Sequence, residues 1–253
     1  MYPELDLGPL SLQTFGLCFA LGFVAAGAVL SRRLRELGRP PDWSYEIVFS
    51  ALVGGLVGAR LDYLIENWDN VSHDLLGSLF SGSGLVWFGG AVGGAAGVVI
   101  WAWRRGWLRA QMLDTVAIPL ALGYAIGRVG CQLSGDGDYG VSSDLPWAMA
   151  YPDGTVPTTE EVHPTPVYET LAVGLLTLAL WRLRDRFAPG VLFGIYLLFA
   201  GFERFLVEFV RRNDELVAGL TLPQVIGLAL MAGGAAVILS RRGQRVEPAR
   251  AAA

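Results

Sequence analysis

Apolar residues in this chain come in unbroken stretches, not in the alternation of a half-buried strand, and each stretch has the length of a bilayer crossing, about 20 residues. Such windows lie near 11 to 30, 46 to 65, 85 to 103, 112 to 131, 166 to 184, 190 to 210 and 222 to 240. They predict an all-α polytopic membrane protein with seven transmembrane helices, folded as a single domain over residues 1–241. The polar breaks differ in charge. Arg32, Arg33, Arg35 and Arg39 follow the first window, Arg104, Arg105 and Arg109 the third, Arg182, Arg184 and Arg186 the fifth, and Arg241, Arg242 and Arg245 the last. Arginine collects on the cytoplasmic side, so these ends are expected inside, with the N-terminus outside and the C-terminus in the cytoplasm. The opposite breaks hold Glu66, Asp69 and Asp74, and then six carboxylates without an arginine between Gly135 and Pro166. Only Arg211 and Arg212 run against this pattern.

The outer break over about residues 134–165 combines turn formers with Pro146-Trp-Ala-Met-Ala-Tyr-Pro152, whose aromatics suit the head-group level, and predicts an ordered cap. Residues 67 to 84, with Val71, Leu75, Leu76, Leu79 and Phe80 among polar neighbours, predict a short interfacial helix or a simple loop. Residues 242–253 are basic and alanine-rich and predict a short disordered tail. Glycines at 54, 55 and 58, at 89, 90, 93, 94 and 97, and at 233 and 234 predict close helix packing. The Gly89-Gly90 pair beside Trp87 and Phe88 could also unwind a helix end. Met1-Tyr-Pro-Glu-Leu-Asp lacks the positive start of a signal peptide, so the first apolar run is expected to stay as a helix.

Composition narrows the chemistry. With 53% hydrophobic and 17% charged residues, the chain belongs with membrane proteins. All 19 cations are arginine, which removes lysine Schiff-base chemistry. No basic stripe interleaved with aromatics points to nucleic acid. Cys18 and Cys131 are isolated thiols without ligand spacing, so neither a disulfide framework nor a metal site is expected, and nothing calls for a cofactor.

Charges inside the apolar windows carry the functional signal. Arg60 and Asp62 lie in the second window, Arg128 in the fourth, Glu169 in the fifth, and Glu203, Arg204 and Glu208 in the sixth. Arg204 and Glu208 are four apart and share a helical face. Arg128 opens the stretch Gly127 to Gly140, GRVGCQLSGDGDYG, in which Asp136 and Asp138 supply acceptors among turn-forming glycines. One reading is a set of buried arginine-carboxylate pairs holding helices in register. The other is a cavity for an anionic lipid head group, whose phosphate the planar guanidinium fork binds at two points. No inverted repeat is evident, which disfavours a transporter.

Four blocks in this order resemble the prolipoprotein diacylglyceryl transferase family: Gly58-Ala-Arg60-Leu, Gly127-Arg128-x-Gly130-Cys131 with SGDGDYG, His163-Pro-Thr-Pro-Val-Tyr168-Glu169, and Gly201-x-x-Arg204-Phe-x-x-Glu208-Phe-x-Arg211. Gly8-Pro-Leu-Ser-Leu-Gln-Thr-Phe-Gly16 also looks like the family's first-helix entry. The resemblance implies a bacterial inner-membrane enzyme, with its site toward the outer face, that moves diacylglyceryl from phosphatidylglycerol to the lipobox cysteine thiol of a prolipoprotein and releases glycerol phosphate. Its expected partners are therefore phosphatidylglycerol, prolipoprotein signal peptides and the surrounding membrane lipids. Carried onto this chain, it implies catalytic roles for Arg128, Arg204, Glu208 and Asp136. Substrate binding would fall to Arg60, Asp138, Tyr139, His163, Tyr168, Glu169, Gly89 and Gly90.

The chain departs from the family's pattern at three positions. Phe88 stands where a histidine usually precedes the paired glycines, Phe15 where a first-helix tyrosine is usual, and Cys131 where asparagine is usual. If that histidine is indispensable, the chain is a degenerate paralogue that binds lipid or assists assembly. Chemistry argues otherwise, because the acceptor is a thiol of pKa about 8.5 and gains less from a base than serine would. Stabilising the leaving phosphate matters more, and Arg128 and Arg204 suit that task. Glu208, Asp136 or Asp138 could take the proton, while His163 before a proline suits an outer hydrogen bonder.

Overall fold

The computed structural model describes residues 1–8, 10–68, 86–217 and 219–244. Residues 69–84 of the expected interfacial segment at 67–84, and residues 245–253 of the expected tail at 242–253, lie outside these. Among the described residues there are seven α-helices: α1 Thr14–Glu36, α2 Trp43–Glu66, α3 Trp87–Arg104, α4 Ala110–Ser134, α5 Thr165–Leu183, α6 Val191–Val207 and α7 Leu222–Ser240. Of these, α1, α2, α4 and α7 are long and apolar enough to cross a membrane by length and composition alone. The helices fall on the apolar windows, as a polytopic membrane protein requires. The described residues also hold three two-stranded antiparallel hairpins, absent from the all-helical expectation: β1 Glu4–Leu7 with β2 Leu10–Gln13 ahead of α1, β3 Met149–Tyr151 with β4 Thr158–Val162 between α4 and α5, and β5 Glu215–Val217 with β6 Leu220–Thr221 between α6 and α7. Their strands are too short to carry a readable alternation.

The chain divides into two compact units, Arg39–Met112 and a second made of Met1–Gly38 with Leu113–Ala253. In the first, α2 and α3 pack backbone to backbone. A Cβ on Gly54 would lie 2.4 Å from the Gly93 carbonyl oxygen, and one on Gly58 would lie 2.2 Å from that of Gly89. Small residues four apart on both helices permit this approach, which in lipid must be driven by packing. Asp62 explains itself here: its Oδ2 accepts from the Gly89 backbone N–H at 2.8 Å and so satisfies an orphan donor in the first turn of α3. At the other end of this helix pair, Glu46 accepts from Trp101 Nε1 at 2.6 Å and from Arg105 Nε at 2.9 Å.

The second unit holds α1, α4, α5, α6 and α7. Its core is built from Ile118, Ala121 and Ala125 of α4, Val173, Leu176 and Leu180 of α5, and Leu192 of α6. Helices α6 and α7 meet through glycines seven apart: a Cβ on Gly201 would lie 2.4 Å from the Gly227 oxygen, and one on Gly234 would lie 2.6 Å from that of Gly194. Asp114 of α4 accepts from the backbone N–H groups of Gly190 (2.7 Å) and Phe193 (2.8 Å) and caps α6, as Asp62 caps α3. Helix α1 runs beyond its apolar window to Glu36 because its polar end is tied down. Arg33 pairs with Asp185 at 2.8 Å, and Glu36 with Arg184 at 2.9 Å. The segment between α4 and α5 is ordered around Tyr139, Tyr151 and Val162, with the two tyrosine rings stacked 4.9 Å apart.

Candidate active site

The site forms where α4, α5 and α6 end on this ordered segment. Helix α4 delivers Arg128 and Tyr124, the first turns of α5 deliver Tyr168 and Glu169, and α6 delivers Glu203 and Arg204. After Val207 the helix tightens into a 3-10 turn, Glu208–Val210. This brings in Glu208, from a segment the apolar window had treated as helix, and Arg211 just beyond that window.

Glu169 is the node. Its carboxylate is fully buried, accepts from Tyr124 Oη at 2.8 Å and from Arg211 Nη1 at 3.0 Å, and contacts Arg128 Nε directly. Arg204 Nη1 stands 3.7 Å away. Asp138 closes the outer side, accepting from Arg211 Nη2 at 2.5 Å and from Arg128 Nη1. Glu208 pairs with Arg204 at 2.9 Å and accepts from Asn213 Nδ2 (2.5 Å) and Thr221 Oγ1 (2.9 Å). Three arginines thus meet three carboxylates, and the cluster is neutral by formal count. Burial alone would raise the Asp138 carboxyl, but the Arg128 and Arg211 charges outweigh it and hold it below its ordinary range.

Local backbone sets these positions. Gly137 adopts φ +96°, a conformation other residues avoid, and so turns the chain between the two aspartates. Asp136 Oδ1 accepts from the Asp138 N–H at 3.2 Å, and Thr165 Oγ1 donates to the Asp138 carbonyl at 2.5 Å. Gly140 runs against the turn after α6: a Cβ there would lie 2.2 Å from the Val210 oxygen. Arg212 Nε donates to the Gly140 carbonyl at 2.9 Å, with its guanidinium over the Tyr139 ring.

Beside the cluster lies an open cavity of about 500 Å³, lined by Trp147, His163, Tyr168, Phe199, Phe202 and Glu203 among others. Trp147 Nε1–H donates to the Tyr168 oxygen at 2.8 Å, which leaves the Tyr168 proton free to point at His163 Nδ1, 3.3 Å away.

The structure therefore brings Arg128, Arg204, Glu208, Asp138 and Glu169 into one network, sets His163 and Tyr168 on the adjoining cavity, and uses Asp136 and Tyr139 to shape the loop. Arg60, Gly89 and Gly90 belong to the other compact unit. There Arg60 is buried with its guanidinium over the Tyr63 ring, and Gly89 packs on α2. Arg211 and Tyr124 also join the arginine-carboxylate network through Glu169, and charge counting along the chain missed both. Arg211 had registered as a stray cation beyond the sixth window, although its spacing from Arg204 and Glu208 held the signal. Cys131, Asp136 and Asp138 offer ligand atoms within 4.8 Å of one another. A cation there would face the two guanidinium groups that already neutralise Asp138.

A buried arginine-carboxylate cluster carried by apolar helices, with a cavity of about 500 Å³ beside it, fits a polytopic membrane protein. Residues 4–240 match the family described as Prolipoprotein diacylglyceryl transferase, and the chain belongs to that family. It is 34% identical over 268 residues to a phosphatidylglycerol–prolipoprotein diacylglyceryl transferase of Chromohalobacter salexigens, covering 98% of this chain and 97% of the relative. The protein of the same name from Clostridium tetani is 31% identical over 228 residues, covering 88% and 90% respectively. That from Dehalococcoides mccartyi is 34% identical over 234 residues, covering 90% and 88%.

Proposed function

We propose that this protein is a transferase that moves the diacylglyceryl group of phosphatidylglycerol to the lipobox cysteine thiol of prolipoproteins and releases glycerol phosphate. The observation that carries the reading is the convergence of Arg128, Arg204 and Arg211 on one buried node beside a cavity with apolar walls. In the reaction the thiol sulfur attacks the glyceryl carbon, the S–C bond forms as the C–O bond to phosphate breaks, and the electron pair stays on the phosphate oxygen. Preorganised guanidinium donors in a largely buried site meet that growing charge at little reorganisation cost. Asp138 is the carboxylate the head group would displace, because its side chain is 34% exposed whereas Glu169 and Glu208 are 0% exposed. It bridges Arg128 and Arg211 in the two-point manner that suits a phosphate.

The arginine-rich helix ends and acidic opposite breaks support seven spans with the N-terminus outside, the C-terminus in the cytoplasm and the site toward the outer face of the bacterial inner membrane. Lipid chains would then lie among α5 and α6 side chains such as Phe202 and Leu206, both about half exposed. The direct test in cells is complementation. A strain depleted of its own transferase should recover growth and lipoprotein modification with this chain, and should not with Arg128→Ala. Failure of the intact chain, expressed and inserted, would overturn the reading.

A further inference from the structure

The transfer has to dispose of the thiol proton, and the carboxylates nearest the arginines are poorly placed to take it. Asp138 lies between two guanidinium groups, and Glu208 is engaged by Arg204, Asn213 and Thr221. Glu169 is enclosed on both oxygens by arginines and Tyr124. A carboxylate held in this way is a weak base, since protonation would break charge-assisted hydrogen bonds. Asp136 is committed to the turn through the Asp138 N–H.

Glu203 is different. It immediately precedes Arg204 on α6 and is half-buried, it lines the 500 Å³ cavity with His163 and Tyr168, and among the described residues no hydrogen bond or ion pair engages it. It is nevertheless close enough to Arg128, Glu169, Arg204 and Arg211 to interact with their charges. With three arginines already matched by three carboxylates, Glu203 is the acidic group whose charge can change without unpairing the cluster. A carboxylate facing an apolar cavity is costly to keep charged, and a site that retains one in a membrane helix has a use for it.

We propose that Glu203 is the general base of the transfer, taking the thiol proton in the cavity shared with His163 and Tyr168. As sulfur bonds to the glyceryl carbon, the S–H proton passes to the Glu203 carboxylate, and the C–O electron pair leaves with the phosphate held by the arginines. Glu203 becomes neutral as the phosphate gains charge, so the net charge of the site does not build up. The proton then leaves to water with the glycerol phosphate.

This inference rests on the transferase reading, and one assay separates the two. Purified full-length protein in mixed micelles of phosphatidylglycerol is given a synthetic lipobox peptide carrying cysteine, or the same peptide with selenocysteine, whose selenol is already ionised at neutral pH and needs no base. Glu203→Gln should cut transfer to the cysteine peptide by about tenfold or more, less than the usual worth of a general base because a few per cent of the thiol is already ionised near neutral pH, and transfer to the selenocysteine peptide by less than about threefold. The ratio of the two acceptors on one sample cancels any loss of folded protein, and Glu203→Asp, which keeps the carboxylate, should recover part of the cysteine activity. Equal losses with both acceptors would make Glu203 structural and overturn the proposal, as would no loss with either. If the unaltered protein transfers to neither peptide, the transferase reading itself fails.

Discussion

Replacing Glu169 with glutamine keeps the shape of the node and removes its charge. In the folded protein that charge is met by Arg128, Arg204 and Arg211 together, from a carboxylate with 0% exposure. Glu169→Gln leaves three guanidinium groups facing two carboxylates, with an amide NH2 turned toward at least one of them. Removing one partner of a buried pair costs about 3–5 kcal/mol, and for a chain of this size each kcal/mol is about 2–4 °C in Tm, so the drop should be roughly 6–20 °C. The assay is thermal unfolding in detergent, with Leu171→Ala as control, since Leu171 sits two residues further along α5 and is 62% exposed. Added phosphatidylglycerol should restore more Tm to Glu169→Gln than to the unaltered protein, because its phosphate supplies the missing charge. A Tm within about 2 °C of the unaltered protein would refute the claim that Glu169 holds the arginines in place.

Other outcomes follow from the same geometry. Arg128→Lys keeps a charge but loses the fork that reaches Asp138 and Glu169, so transfer should fall about 10²–10³-fold while insertion is retained; unchanged transfer would remove Arg128 from the site. Because the folded-state pKa of Asp138 is depressed, its stabilising contribution is full above the ordinary carboxylate pKa and is lost as pH falls through the lower folded value. Thermal unfolding between pH 3 and 7 should therefore show a shallower acid loss in Asp138→Asn, and an identical slope would contradict the pairing. Reporters fused after Arg35 and Arg109 should report cytoplasm, and one within Gly154 to Glu161 the outside; the inverse would turn the site to the wrong face.

Much of this fold could be read from apolar run length alone, because each helix must bury its own backbone polar groups in lipid and so announces itself as a continuous run. The ends were harder. Helix α1 gains its last turn from Arg33, Glu36, Arg184 and Asp185, a cluster spread over 150 residues that no local pattern reveals. Helix α6 stops at Val207 because the chain must turn to put Glu208 under Thr221 and Arg211 beside Asp138. Charges inside apolar windows marked Arg128, Glu169, Arg204 and Glu208 as a site, yet the same rule caught Asp62, whose task is to cap α3. Sequence separates the two kinds only when the partner is known, and for Asp62 the partner is a backbone N–H.

On the proposed function, the arginine cluster and its cavity turn over phosphatidylglycerol and do not merely bind it, in a chain with Phe88 where the resemblance leads one to expect histidine. Purified full-length protein should be incubated with phosphatidylglycerol and a lipobox peptide, and the peptide followed by mass spectrometry alongside free glycerol phosphate. The expected products are a thioether-linked diacylglyceryl peptide and an equal amount of glycerol phosphate, both lost in Arg128→Lys. Binding of phosphatidylglycerol without either product, together with activity appearing only in Phe88→His, would contradict it and leave a lipid-binding protein.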